Sequence, residues 1–161
     1  MRYPTVFLFF LLLHALLADP KFPEDYRSCG SKESDDGEIK RLHIDSTHLQ
    51  SFDQIRFVMD GVLYGNVTVT DDAVVLVDTT WRRIPLVPRE TYTLRELLDQ
   101  PQNKDKPWVF PIDSRREFKD LEVVSEIPKI PRAVAVHLKA QGKSAEGHPL
   151  FCFEGPLYLR P

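Results

Sequence analysis

The chain has 161 residues, of which 42% are hydrophobic, 11% aromatic and 28% charged, and a formal net charge of −3. So even a balance gives no bulk attraction to nucleic acid, and thirteen prolines argue for short strands and turns rather than a helical bundle. The length suits one domain around one core.

Met1 and Arg2 make a weakly basic start, and residues 6–18, VFLFFLLLHALLA, are apolar apart from His14. That run falls short of the roughly 20 residues a membrane span needs. Ala15 and Ala18 then place small residues ahead of the polar, proline-bearing DPKFPEDYR. This is the layout of a secretory signal peptide, so residues 1–18 are expected to be removed and residues 19–161 to form the exported domain.

Export bears on the two cysteines, Cys29 and Cys152. In an oxidising compartment two lone cysteines are most simply a disulfide, the alternatives being free thiols or bridges to other chains. A Cys29–Cys152 bridge would tie the first strand to the last. Closing so long a loop is worth up to about 4–5 kcal/mol in the chain-entropy model. Neither cysteine has a CxxC partner or a nearby histidine cluster, which leaves redox and zinc chemistry without support.

After the polar, turn-like GSKESDDGE, residues 38–44 (EIKRLHI) read as a short strand. In QIRFVMD, Ile55, Phe57 and Met59 alternate with Gln54, Arg56 and Asp60. Gly61 marks a bend, after which VLYGNVTVT reads as a continuation in which Val67 and Val69 alternate with Thr68 and Thr70. Asp71 and Asp72 form a turn before the β-branched strand 73–81. In TLRELLD, Thr93 and Glu96 make a capping-box pattern for one helical turn that Pro101 closes. Strands follow at 119–127, 132–140 and 149–159, with QGKSAEGH as the loop of a hairpin between the last two. About seven short strands and little helix predict an all-β, immunoglobulin-like antiparallel β-sandwich.

The cysteine contexts, Cys29-Gly30-Ser31 with Gly37 following and Cys152-Phe153-Glu154 near the end, resemble those of the ML lipid-recognition family. The segments WRRIPLVPRETYTLRELLD and EIPKIPRAVAVHL are similar to its proline-rich turn with a short helix and to the loop entering its penultimate strand. The resemblance extends over nearly all of the expected mature chain, although no single motif in it is highly specific. It implies pairing of the first and last cysteines, and a lipid held in an apolar cavity between two sheets. Relatives of this type often carry further disulfides, one near the short helix, where this chain has Arg95.

Alternation gives the inward-facing candidates for such a cavity: Ile55, Phe57, Met59, Val75, Val77, Leu121, Val123, Val134, Val136, Leu138 and Phe153. A filled core would show the same rows, so the cavity itself comes from the resemblance. The resemblance also places a mouth where two apolar, proline-bearing loops meet, at Ile84, Pro85 and Leu86 and at Ile127, Pro128 and Ile130. Around it lie Trp81, Arg82, Arg83, Arg89, Lys129 and Arg132, either an ordinary solvated set or a rim that rests on an anionic membrane.

Asn66-Val67-Thr68 is a glycosylation sequon in a chain expected to be exported. Histidines 43, 48, 137 and 148 show no metal-ligand spacing, and His137 alternates with Val136 and Leu138 so as to face outward. Asp35/Asp36 and Asp71/Asp72 read as turn residues, and there is no GxSxG elbow, so neither catalysis nor a metal or other cofactor is expected. Three readings remain. The leading one is a monomeric carrier of a sterol, phospholipid, fatty acid or glycolipid, secreted or lysosomal. The others are a lipid-dependent co-receptor that contacts a receptor protein, and a ligand-free interaction module with a filled core.

Overall fold

A computed structural model describes residues 25–161, apart from residues 32, 46–47, 86–87, 106–107, 128 and 130–131. The expected signal peptide lies outside the described residues. In chain order the strands are β1 (Arg27–Ser28), β2 (Gly37–Ile44), β3 (His48–Gln50), β4 (Gln54–Leu63), β5 (Val74–Trp81), β6 (Ile84–Pro85), β7 (Glu90–Thr93), β8 (Arg116–Glu126), β9 (Val134–Lys143) and β10 (Pro149–Arg160). A single-turn helix, α1 (Leu94–Leu98), and a 3-10 turn (Pro101–Asn103) lie between β7 and β8.

Two sheets face each other. One is the antiparallel set β2-β4-β8. The other runs β1-β10-β9-β5-β6, with β7 antiparallel to β5 and the short β3 parallel to β10. Alternation sets the inner faces, as on β9, where Val136, Leu138 and Ala140 are buried and Ala135 and His137 are exposed. His137 lies 3.2 Å from Glu154 on the outer face.

The alternation slips in all three strands of the smaller sheet. Buried positions jump from Ile39 to Leu42, from Met59 to Gly61 and Val62, and from Phe118 to Leu121. The ladders shift register at the same level, between Ile39 and Arg41 and between Met59 and Gly61. A row of bulges therefore crosses the sheet, which bends and twists it more strongly. Arg41 bridges Asp60 at 2.7 Å and Asp120 at 2.7 Å along this row. Gly61 is required here, because a Cβ would come within 2.5 Å of the Glu38 carbonyl oxygen and 2.4 Å of the Phe118 ring.

Residues 64–70 do not extend β4 as a strand, contrary to the alternation of Val67 and Val69; Val69 makes only an isolated bridge to Ile112. Gly65, at φ 83°, turns the chain, and the buried Asp36 holds the turn. The Asp36 carboxylate accepts from the backbone N–H groups of Asn66 and Val67 at 2.9 Å each. Its own carbonyl accepts from Tyr64 N–H at 2.8 Å, and its N–H donates to Pro149 O at 2.9 Å. Asp36 is thus a junction between the two sheets rather than an exposed turn residue.

The capping box forms as expected. The Thr93 hydroxyl accepts from Glu96 N–H at 3.1 Å, and Thr93 N–H donates to the Glu96 carboxylate at 2.7 Å. Leu97 is fully buried, and Arg95 pairs with Asp71. Asn103, 1% exposed, substitutes for a neighbouring strand on the edge of β8. Its amide donates to Leu97 O at 2.7 Å and Glu122 O at 2.6 Å and accepts from Glu122 N–H at 3.0 Å. Gln100 continues this cover by accepting from Val124 N–H at 3.3 Å.

Cys29 and Cys152 form the disulfide. Cys29 N–H donates to Cys152 O at 3.1 Å, which prolongs the β1–β10 ladder. The bridge therefore joins neighbours within one sheet and does not cross the sandwich.

Removing the Asn103 amide would leave buried backbone groups without that partner. Asn103→Ala is expected to cost about 2–3 kcal/mol, measured as the shift in a urea unfolding midpoint. A change below about 0.5 kcal/mol, the usual range for surface substitutions, would show that the edge needs no such cover.

Candidate functional site

A cavity of about 70 Å³ lies between the sheets. Ile55, Phe57, Met59 and Val123 border it from the smaller sheet, and Val75, Val77, Leu138 and Ala140 from the larger. β10 supplies a further apolar wall through Phe151, Phe153, Leu157 and Leu159. Typical small-molecule pockets measure about 300–1,000 Å³, so a long apolar ligand would have to spread the sheets further.

The walls change character along the cavity. Met59 and Ala140 are each 3% exposed, whereas Thr79, Glu90, Tyr92 and Ser125 are half-buried and Glu126 is exposed. The cavity therefore reaches the surface at a polar end, near the close of β8 and the start of β7. There the Tyr92 hydroxyl donates to the Glu90 carboxylate at 2.9 Å and lies 3.4 Å from the Ser125 hydroxyl. The second of these contacts joins the edges of the two sheets. Burial, chiefly, pushes the Tyr92 hydroxyl above its ordinary value; the Ser125 contact opposes this and the nearby Glu90 and Glu96 add to it. Tyr92 accordingly remains a proton donor at neutral pH. Among the described residues bordering the cavity there is no Lys, Arg or His.

Eight of the inward-facing candidates border the cavity: Ile55, Phe57, Met59, Val75, Val77, Val123, Leu138 and Phe153. Leu121 and Val136 are buried in the filled part of the core, and Val134 is half-buried beside a surface depression with His48 and Tyr158. These three belong to strands longer than the cavity, so alternation alone carries them past its ends. Phe151, Leu157 and Leu159 follow the same two-residue period on β10 and were open to the same reasoning. Glu90 and Tyr92 were not, because β7 is embedded in a proline-rich segment that masks its strand character.

The expected mouth is only partly assembled by the described residues. Ile127 is buried inside the cavity wall, 5% exposed, while Ile84 is 61% exposed on the hairpin beyond it. Pro85 is exposed beside Ile84, and Leu86, Pro128 and Ile130 lie outside the described residues.

Trp81 follows Thr79 on the inward parity of β5 and carries two guanidinium groups against its ring, Arg82 at 5.1 Å and Arg132 at 5.2 Å from its centre. Arg82 and Arg83 form the hairpin tip with φ of 50° and 70°, a left-handed geometry usually given to Asn-Gly. Lys129 is exposed nearby in sequence to Ile127. Arg89 belongs elsewhere: it grips Asp78 with two bonds, at 2.7 and 3.0 Å. Strand alternation puts that pair on the face opposite Glu90.

Ala140→Leu would fill cavity volume without adding a polar group. Its stability cost is expected not to exceed the roughly 1–3 kcal/mol of an overpacked core, while uptake of the neutral fluorophore N-phenyl-1-naphthylamine falls at least about tenfold. Unchanged fluorophore uptake would show that apolar ligands bind somewhere other than this cavity.

The structure is similar to that of a Niemann–Pick type C2 protein from Japanese carpenter ant, with a TM-score of 0.60 and 13% identity, covering 84% of this chain and 98% of that one. Weaker likenesses are to the C-terminal domain of wzt (TM-score 0.49, 14% identity, 88% of this chain and 80% of that one) and to chicken MD-1 complexed with lipid IVa (TM-score 0.42, 12% identity, 84% and 87%). No protein-family model and no curated protein sequence matches the chain. At this level of identity the likeness to the ant protein establishes the fold. The chain shares the β-sandwich fold of that ant protein, as the resemblance of its two cysteine contexts implies.

Proposed function

We propose that this protein is an exported lipid carrier that takes the apolar part of a lipid between its sheets and hands it on at a membrane. The observation that carries this reading is the apolar cavity, walled by both sheets and open at one polar end, within a Niemann–Pick type C2 fold. Burying the methylenes of a sixteen-carbon chain at about 0.8 kcal/mol each gives on the order of 12 kcal/mol, a sum that can offset the spreading of the sheets. The Tyr92–Ser125 contact at the mouth is long, at 3.4 Å, and gives such spreading little resistance. The reading gives the protein no catalytic role.

Export is supported by the signal-like N-terminus and by the Cys29–Cys152 disulfide. Asn66 is exposed and follows the far end of β4 from Ile55, so a glycan there would stand clear of the cavity opening. Trp81, Arg82, Arg83, Lys129 and Arg132 form the surface with which the carrier meets an anionic membrane. Each cation near such a surface contributes about 1 kcal/mol. The small volume of the cavity favours a second reading, a ligand-free interaction module with a nearly filled core.

Native mass spectrometry of the secreted protein, before and after removal of N-linked glycans and with lipid extraction, separates the two. The carrier is expected to show a lipid-mass adduct, together with a mass loss on deglycosylation that maps to Asn66. A bare protein that also refuses offered sterol, long-chain alcohol, fatty acid and phospholipid would support the interaction module. For the membrane surface, Arg82→Glu with Arg83→Glu is expected to slow lipid transfer from vesicles containing phosphatidylserine at least about tenfold, through loss and reversal of favourable charge. Transfer from neutral vesicles should change little. Equal rates for both proteins on anionic vesicles would remove these arginines from the docking surface.

A further inference from the structure

We infer that the polar end of the cavity is a headgroup site for lipids bearing a hydrogen-bond-donating, non-anionic head, a long-chain hydroxyl above all, and that Glu90 makes it reject free carboxylates. The inference rests on the carrier reading and adds to it the chemistry of the cargo.

Glu90 borders an otherwise apolar cavity, is half-buried, and has the Tyr92 hydroxyl as its side-chain partner. Among the described residues no cation pairs with it: its neighbour Arg89 is committed to Asp78. A carboxylate at the edge of an apolar space is stabilised by any donor that enters that space. The Tyr92 proton is already directed at Glu90, and the Ser125 hydroxyl lies 3.4 Å from the same Tyr92 oxygen. An incoming O–H can donate to Glu90 and accept from the Ser125 hydroxyl, which uses its one donor and one of its two acceptor positions.

An anionic head meets the opposite situation. Glu90 and Glu126 both border the opening, no Lys, Arg or His does so among the described residues, and Tyr92 gives its proton to Glu90. Like charges brought together in a partly desolvated site repel, which either expels the ligand or forces a proton onto one carboxyl. The rim cations Arg82, Arg83, Lys129 and Arg132 are not among the residues that border the cavity. Attraction to a membrane and selection of cargo thus reside on different side chains.

The test compares radiolabelled 1-hexadecanol and palmitate, equal in chain length, each below its aggregation limit at pH 7.4, on the full mature protein and on Glu90→Gln and Glu90→Lys. The wild type should bind the alcohol at least about tenfold more tightly than palmitate. Glu90→Gln should narrow that ratio at least about threefold, and Glu90→Lys should reverse it. Melting curves confirm that the variants are folded, and N-phenyl-1-naphthylamine uptake confirms that the cavity persists. Equal wild-type affinity for the two chains, or a preference unmoved in both variants, overturns the headgroup site while leaving the carrier intact. Failure of the wild type to bind either chain overturns this inference, and the carrier reading falls with it only if sterol and phospholipid are refused as well.

Discussion

The architecture depends on one buried acid. Asp36 ties the entry to β2, the exit from β4 and the start of β10 through four hydrogen bonds, two to its carboxylate and two to its main chain. A carboxylate removed from water is tolerated only where donors replace its hydration, and here two backbone N–H groups do so. The junction lies at one end of the sandwich. It holds the sheets together there without constraining the other end, where β8 finishes and β7 begins. A core tied by this junction at one end can stay folded with space left inside towards the other.

The edges show the same division. Along β8, Asn103 and Gln100 satisfy main-chain groups that would otherwise face an open seam. Past them the sheets are tied by the main-chain bonds of the 51–53 turn, from Ser51 N–H to Arg160 O at 3.0 Å and from Phe52 N–H to Ile127 O at 2.9 Å, and between β7 and β8 by the long Tyr92–Ser125 contact. The row of bulges through β2, β4 and β8 adds curvature to the smaller sheet. Curvature in one of two facing sheets makes complete interdigitation of their side chains harder, which is consistent with space remaining between the inner faces.

Period-two alternation made much of the fold legible, because β9 and the first half of β4 bury one face and leave the other exposed or half-buried. It failed where a local polar interaction overrides side-chain pattern. Val67 and Val69 alternate convincingly, yet the Asp36 carboxylate claims the N–H groups that a strand would have used. It also failed at the Arg82-Arg83 hairpin, whose left-handed geometry the usual turn residues do not announce. The apolar walls of the cavity could be read from sequence, but its extent could not, since Leu121 and Val136 obey the same alternation as Val123 and Leu138. The polar end stayed hidden because Glu90 and Tyr92 acquire their roles only when β7 pairs with β5 and faces Ser125 across the gap.

The disulfide joins β10 to the segment after β1 within a single sheet. It works as a batten along one wall rather than a clasp between two. A covalent clasp would make every passage of cargo a redox event, or else lock the interior. With the bridge confined to one wall, breathing between the sheets changes no bond between sulfur atoms. In the proposed carrier, grip on a ligand and the thiol chemistry of the surroundings are therefore independent variables. The covalent link secures the chain ends, and non-covalent contacts alone govern how wide the interior opens.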